Sequence, residues 1–235
     1  YRLGQSSHKA LENARQEVAL LMNADPSEIT FTGCGSESDN LALRGYLHSR
    51  QAKGKKHLIV STIEHHAILY TAKALEKEGF EVTYLPVNQY GQVEPQALEQ
   101  AIRPDTALVS IMFANNEIGT INPVAELGRV CHEKGVVFHT DAVQAYGHVP
   151  IDVKAMNIDM LSLSGHKINA PKGVGAIYVR KGIRLEPQLT GGGQERGLRS
   201  GTENIASIVG LGEAARLKRV NMERETAYIG ALSRK

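Results

Sequence analysis

The absences in this sequence narrow its function before any motif is read. It has no run of Lys and Arg interleaved with aromatics, and 27 basic against 25 acidic side chains leave a formal net charge of +2. The pI near 8.5 thus reflects near balance rather than a basic face, and no nucleic-acid partner is expected. Cys34 and Cys131 are the only cysteines; they allow at most one bridge and lack a metal-ligand spacing such as C-x-x-C. A reducing compartment is the simpler setting. No apolar run reaches membrane-spanning length, and Tyr1-Arg2-Leu3-Gly4 offers neither the basic region nor the apolar region of a secretory signal. The expectation is a soluble, cytoplasmic chain without a membrane partner. It opens without an initiating Met, so its natural start is expected upstream. Gly-x-Gly-x-x-Gly follows no predicted strand and no Walker-type loop occurs, which weakens a plain nucleotide-binding domain.

The 235 residues and their 42% apolar content are enough for a substantial core. Apolar runs alternate with amphipathic segments, the pattern of an α/β fold with a mostly parallel sheet sandwiched by helices. Ala10, Leu11, Ala14, Val18, Leu21 and Met22 recur at helical spacing after Ser6-Ser7, which reads as an N-cap. Strands are predicted at 29–32, 57–62, 80–86, 106–113, 136–140, 160–164 and 174–179. Helices are predicted at 36–51, 67–77, 95–102, 123–134 and 205–219, the second helix opening on the cap chemistry of Ser36-Glu37-Ser38-Asp39. No repeat or interdomain linker interrupts the pattern, so residues 1–235 read as one domain.

In such sheets a ligand sits beyond the carboxyl ends of the strands. The residues there are Gly35-Ser36, Glu64-His65, Asn115-Asn116, Asp141 with Gln144, and Ser164-Gly165-His166-Lys167. Ser36 opens a helix whose free N–H groups suit a phosphate, and Ser164 and His166 could donate to the same group. A lysine amine and a strand-end carboxylate are what a pyridoxal phosphate enzyme needs, one for the Schiff base and one for the pyridinium nitrogen. Taken singly, each has a plainer reading: Ser36 as an N-cap, His65 as an ordinary histidine, Asp141 as a helix cap, Lys167 as a solvated lysine. Their placement along one predicted sheet edge favours the cofactor.

The motif set resembles the cysteine desulfurases of nitrogen fixation and iron–sulfur cluster assembly. It comprises residues 31–40 (FTGCGSESDN), 115–119 (NNEIG), 139–144 (HTDAVQ), 164–167 (SGHK) and 191–204 (GGGQERGLRSGTEN), in order along nearly the whole chain. The resemblance implies a fold-type I pyridoxal phosphate enzyme of the class V aminotransferase group, acting on L-cysteine as a homodimer and passing sulfur to an acceptor or scaffold protein of iron–sulfur assembly. It gives Lys167 the Schiff-base role, Asp141 the ring nitrogen, Gln144 the phenolic oxygen and His65 the stacked imidazole, with Lys167 and His65 carrying the catalysis. Gly35, Ser36, Ser164 and His166 match the phosphate cup, Thr202 the hydroxyl that reaches the neighbouring subunit's phosphate, and Asn116 the asparagine beside cofactor and substrate. Ala170 replaces a glycine often found before Pro-Lys-Gly. No metal is implied.

In that family the attacking cysteine and the carboxylate-binding arginine lie in a C-terminal small domain. Neither Cys34, expected as a small buried residue in the phosphate-loop turn, nor Cys131, expected as a core thiol, matches the nucleophile. Residues 1–235 are therefore expected to be the cofactor-binding large domain, without the family's N-terminal segment and small domain. A fragment, a split enzyme whose second chain supplies the cysteine, and a truncated relic all fit. Alternatives are a selenocysteine lyase or aminotransferase of the same class, and a non-catalytic scaffold for sulfur-transfer partners.

Overall fold

Each strand is a run of four or five residues, and all but the edge strand β3 are buried along almost their whole length. Such runs call for a sheet covered on both faces. In the computed structural model, which describes residues 2–232, they build one seven-stranded sheet in the order β1-β7-β6-β5-β4-β2-β3. The strands are β1 (Ile29–Thr32), β2 (His57–Ser61), β3 (Glu81–Leu85), β4 (Thr106–Ser110), β5 (Val137–Asp141), β6 (Met160–Ser164) and β7 (Gly175–Val179). The five from β3 to β6 run parallel; β7 runs antiparallel to β6, and β1, antiparallel to β7, returns to the common direction at that edge.

The helices are α1 (Arg2–Leu20), α2 (Gly35–Leu47), α3 (His66–Lys77), α4 (Pro95–Ala101), α5 (Val124–Glu133) and α6 (Ile205–Leu232). Side-chain alternation on the strands feeds two cores. Ile59, Val109, Phe138, Leu161 and Tyr178 join the core beneath α1, α5 and α6, whereas Leu58, Leu108, Met160 and Ile177 join that beneath α2 and α3. α1 and α6 pack so closely that a Cβ on Gly212 would lie 2.5 Å from Ala14 Cα. No helix among the described residues is long and apolar enough to cross a membrane.

Two caps differ from the sequence reading. Ser6-Ser7 lies inside α1, which starts at Arg2, because an amphipathic helix continues through Ser wherever its apolar face is packed. Ser36 is likewise not the cap of α2: that position is Cys34, whose side chain makes no cap bond. The exposed Cys34 also corrects the expectation of a buried residue there.

Candidate active site

The carboxyl ends of the strands open onto a cavity of about 280 Å³. Each wall comes from a short connection that follows an element. β1 runs into the Gly33-Cys34 turn and α2, and β2 into Glu64 and His65. β5 ends on Asp141 and is followed by Val143-Gln144; β6 ends on Ser164, before His166 and Lys167. Gly35, Ser36, His65, Asn116, Asp141, Gln144, Ser164, His166 and Lys167 all line the cavity. Thr202 does not: it is exposed beside a separate cleft with Thr32, Gly33 and Arg199.

The first turn of α2 has no side-chain cap, so its leading amides have no partner within the helix. Gly35 belongs there by necessity. A Cβ at this position would stand 2.8 Å from Val143 Cγ2 and 3.2 Å from Ser164 Cβ, closing the ground in front of those amides. Ser164 Oγ pairs with His166 Nδ1 at 3.0 Å, which adds a hydroxyl and an imidazole to the same rim.

Lys167 lies in a short 3-10 turn, Gly165–Ile168, that ends on Asn169 in the left-handed region (φ +65°). The Ala170 amide donates to Gly165 O and the Gly165 amide to Val174 O, while Lys167 O pairs with His148 Nε2 at 3.0 Å. The backbone is fixed and the amine-bearing side chain is exposed at the cavity. Asn115 Oδ1 similarly accepts the Glu117 and Ile118 amides, and its Nδ2 donates to Ile63 O, holding Asn116 at the bend beside the His65 loop. His65 caps α3, with Nδ1 accepting the Ala67 amide; in the neutral ring the proton is then on Nε2.

The floor is acidic and buried. Asp141 Oδ1 accepts the Val143 amide at 2.9 Å; burial raises its carboxyl above the usual range, and the Val143 amide, His65 and Lys167 pull it back down. Glu64 is pushed up to about 8 by burial, although Ser61 Oγ and the Met112 amide donate to its Oε1.

Several wall and support residues escaped the sequence reading. Asp39, Met112 and Val143 line the cavity. Asp39 sits three positions after Ser36, on the same face of α2, and that spacing was the available signal. Glu37 ties the Gly33-Cys34 turn to the glycine-rich loop: its carboxylate accepts the Gly33 amide and pairs with Arg199 Nε, each at 2.8 Å. Glu195 anchors that loop to β1. It forms a bidentate pair with Arg15, both contacts at 2.8 Å, and accepts the Phe31 amide at 2.8 Å.

Comparison with known proteins agrees with this architecture. A cysteine desulfurase (IscS) of Methanosarcina thermophila is 56% identical over 223 residues, covering 95% of this chain and 55% of that protein. The mitochondrial cysteine desulfurase of Saccharomyces cerevisiae is 53% identical over 234 residues, 99% of this chain and 47% of the relative. The chain thus spans about half the length of the curated relatives it matches. Among solved structures, a NifS-like protein superimposes with a TM-score of 0.91 at 43% identity, covering 94% of this chain and 61% of that one. SspA in complex with cysteine gives 0.88 at 47% identity, covering 92% and 62%. The profile of the class-V aminotransferases matches residues 1–235, and with the sheet and cavity described above the chain belongs to that family.

Proposed function

We propose that residues 1–235 form the cofactor-binding large domain of a pyridoxal phosphate-dependent cysteine desulfurase. The observation that carries this is the meeting, in one cavity, of an exposed Lys167 amine, the buried Asp141 carboxyl and the uncapped first turn of α2. The donor set fits the cofactor: the cradle kept open by Gly35 would take its phosphate, with Ser36, Ser164 and His166 around it. Bound there, pyridoxal phosphate supplies an electron-withdrawing ring that stabilises negative charge on a substrate carbon.

The chain's own residues do the rest. Asp141 would hold the ring nitrogen protonated, His65 would cover the ring face, Gln144 would donate to the phenolic oxygen, and Asn116 would lie beside cofactor and substrate. Lys167 Nζ moves a proton at the substrate α-carbon. A protein thiolate then attacks the substrate sulfur, an S–S bond forming as the Cβ–S bond breaks and its electron pair stays on carbon; that carbon takes up a proton to leave alanine, and the persulfide sulfur passes onward to an acceptor of iron–sulfur assembly. Cys131 is unsuited to that task, being wholly buried with its thiol held well above the usual range by burial. The thiol is assigned instead to the small domain that the resemblance implies. Thr202, away from the cavity of its own chain, suits a role at the phosphate of a second subunit in a cytoplasmic homodimer.

Adding pyridoxal phosphate to the chain should produce visible absorbance that Lys167→Ala abolishes; equal absorbance in both would sink the proposal. In the full-length protein, L-cysteine should yield alanine, with sulfide under reductant. A keto acid would instead indicate an aminotransferase.

A further inference from the structure

At the floor of the cavity lies a carboxyl to which the proposed function gives no task. Asp39, on α2, is 1% exposed and lines the cavity, yet its Oδ1 has no hydrogen-bond partner. Its side chain does bond to Ser162. Ser162 Oγ in turn pairs with His139 Nε2 at 2.9 Å, and His139 Nδ1 with Ser110 Oγ at 2.8 Å. This polar seam crosses β6, β5 and β4 beneath the cavity and contains no cation. Although His139 Nε2 stands 3.9 Å from Asp39 Oδ1, beyond hydrogen-bond range, burial holds the ring neutral, with its pKa lowered to about 3.

The titratable groups around Asp39 are Asp141 and His139 on β5, Glu64 and His65 after β2, and Cys34 before α2; Lys167 stands across the cavity. Ligand atoms of Asp39, Asp141 and His65 lie within 4.8 Å of one another. Two carboxyls so close and so buried do not both ionise. The charge falls unevenly between them. Asp141 receives a backbone amide and faces His65 and Lys167, whereas Asp39 has burial and the charges of Asp141 and Glu64 against it, eased only by Ser162.

We propose that Asp39 works as a protonated, uncharged acid, a positioning residue behind Asp141, so that the cavity floor presents one negative charge to the ring nitrogen and not two. The consequence for the ring rests on the cofactor assignment above; the protonation itself is a property of the chain alone.

Infrared spectroscopy of the full-length protein without cofactor, carrying ¹³C-labelled aspartate carboxyls, tests this. The label separates aspartate bands from that of Glu64, which is also raised. At neutral pH the wild type should show the C=O stretch of a protonated aspartic acid, and Asp39→Asn should remove it. Because Asn keeps the shape and neutrality, that variant should move the pH midpoint of the visible band by less than about half a unit. Asp141→Asn should lower the pH at which the Asp39 band disappears, a readout that does not depend on Asp39→Asn folding. Absence of a protonated aspartate band in wild type overturns the proposal. So does a midpoint shift above about one unit in Asp39→Asn, as loss of a full charge at this range would cause. If wild type gives no visible absorbance, the cofactor assignment fails while the infrared result still stands.

Discussion

Replacing Glu195 by Ala should be among the most damaging single changes in this chain, although the residue lies in a loop. The side chains of Arg15 and Glu195 are 4% and 3% exposed. Burial alone would pull the Arg15 pKa down, and Glu195 together with Glu12 more than restores it, so the guanidinium stays charged. Arg15 also donates to Ile29 O at 2.8 Å and lies 4.7 Å above the Phe31 ring. Removing Glu195 leaves this buried charge with only the half-exposed Glu12, 3.1 Å from Arg15 Nε, as a counter-ion and leaves the Phe31 amide unpaired. Breaking a buried pair from one side costs about 3–5 kcal/mol, a large share of a typical total of roughly 5–15 kcal/mol. A second effect separates backbone from side chain. Glu195 and Arg196 both hold left-handed backbone, at φ +47° and +56°, where a Cβ is strained. Glu195→Gly should therefore be less harmful than Glu195→Ala by about 1 kcal/mol, and the paired change Arg15→Met with Glu195→Met should recover most of the loss. Urea unfolding of these variants, followed by circular dichroism in low and high salt, measures the cycle; burial predicts little salt dependence. A loss below about 1 kcal/mol in Glu195→Ala, or no coupling between the two sites, would refute the assignment of a buried clamp.

Gly35→Val should weaken pyridoxal phosphate binding by more than about tenfold, because its side chain would meet Val143 and Ser164; equilibrium titration of the visible band checks this, and Val143→Ala should restore part of the loss. Glu64, at about 8 in the folded chain against an ordinary 4.5, keeps a proton that the unfolded chain releases. Its contribution to stability is therefore full below pH 4.5, falls as pH rises, and is lost by about pH 8; Glu64→Gln should flatten that slope in unfolding experiments across this range. Gly212→Leu should destabilise by about 1–3 kcal/mol or more through overpacking against Ala14, read as a lower melting temperature without a change in far-ultraviolet spectrum.

Much of this architecture was legible because its signals are local. β1 and β6 match their predicted bounds, since each is a short apolar run flanked by polar or turn residues. α6 runs on to Leu232, past the predicted end at Arg219. Its second half exposes Val220, Tyr228, Ile229 and Leu232, so no core-facing stripe marks its continuation. The caps of α1 and α2 were misread because Ser has cap chemistry wherever it occurs, and only tertiary packing decides whether that chemistry is used; α4 and α6 start at the predicted residues. At the cavity, residues directly following strands could be read from order alone. Val143 and the Arg15–Glu195 pair could not, because what defines each is a neighbour distant in sequence: Gly35 beside Val143, and β1 between Arg15 and its partner.

A Cβ on Gly175, the first residue of β7, would fall 2.8 Å from the Cys34 carbonyl carbon and 2.8 Å from Leu163 O. The turn before α2 therefore rests directly on a strand that enters the sheet much later in the chain. Under the proposed function, the cradle in front of α2 takes its shape only once that strand has docked, so retention of cofactor would report on the register of the β1–β7–β6 edge.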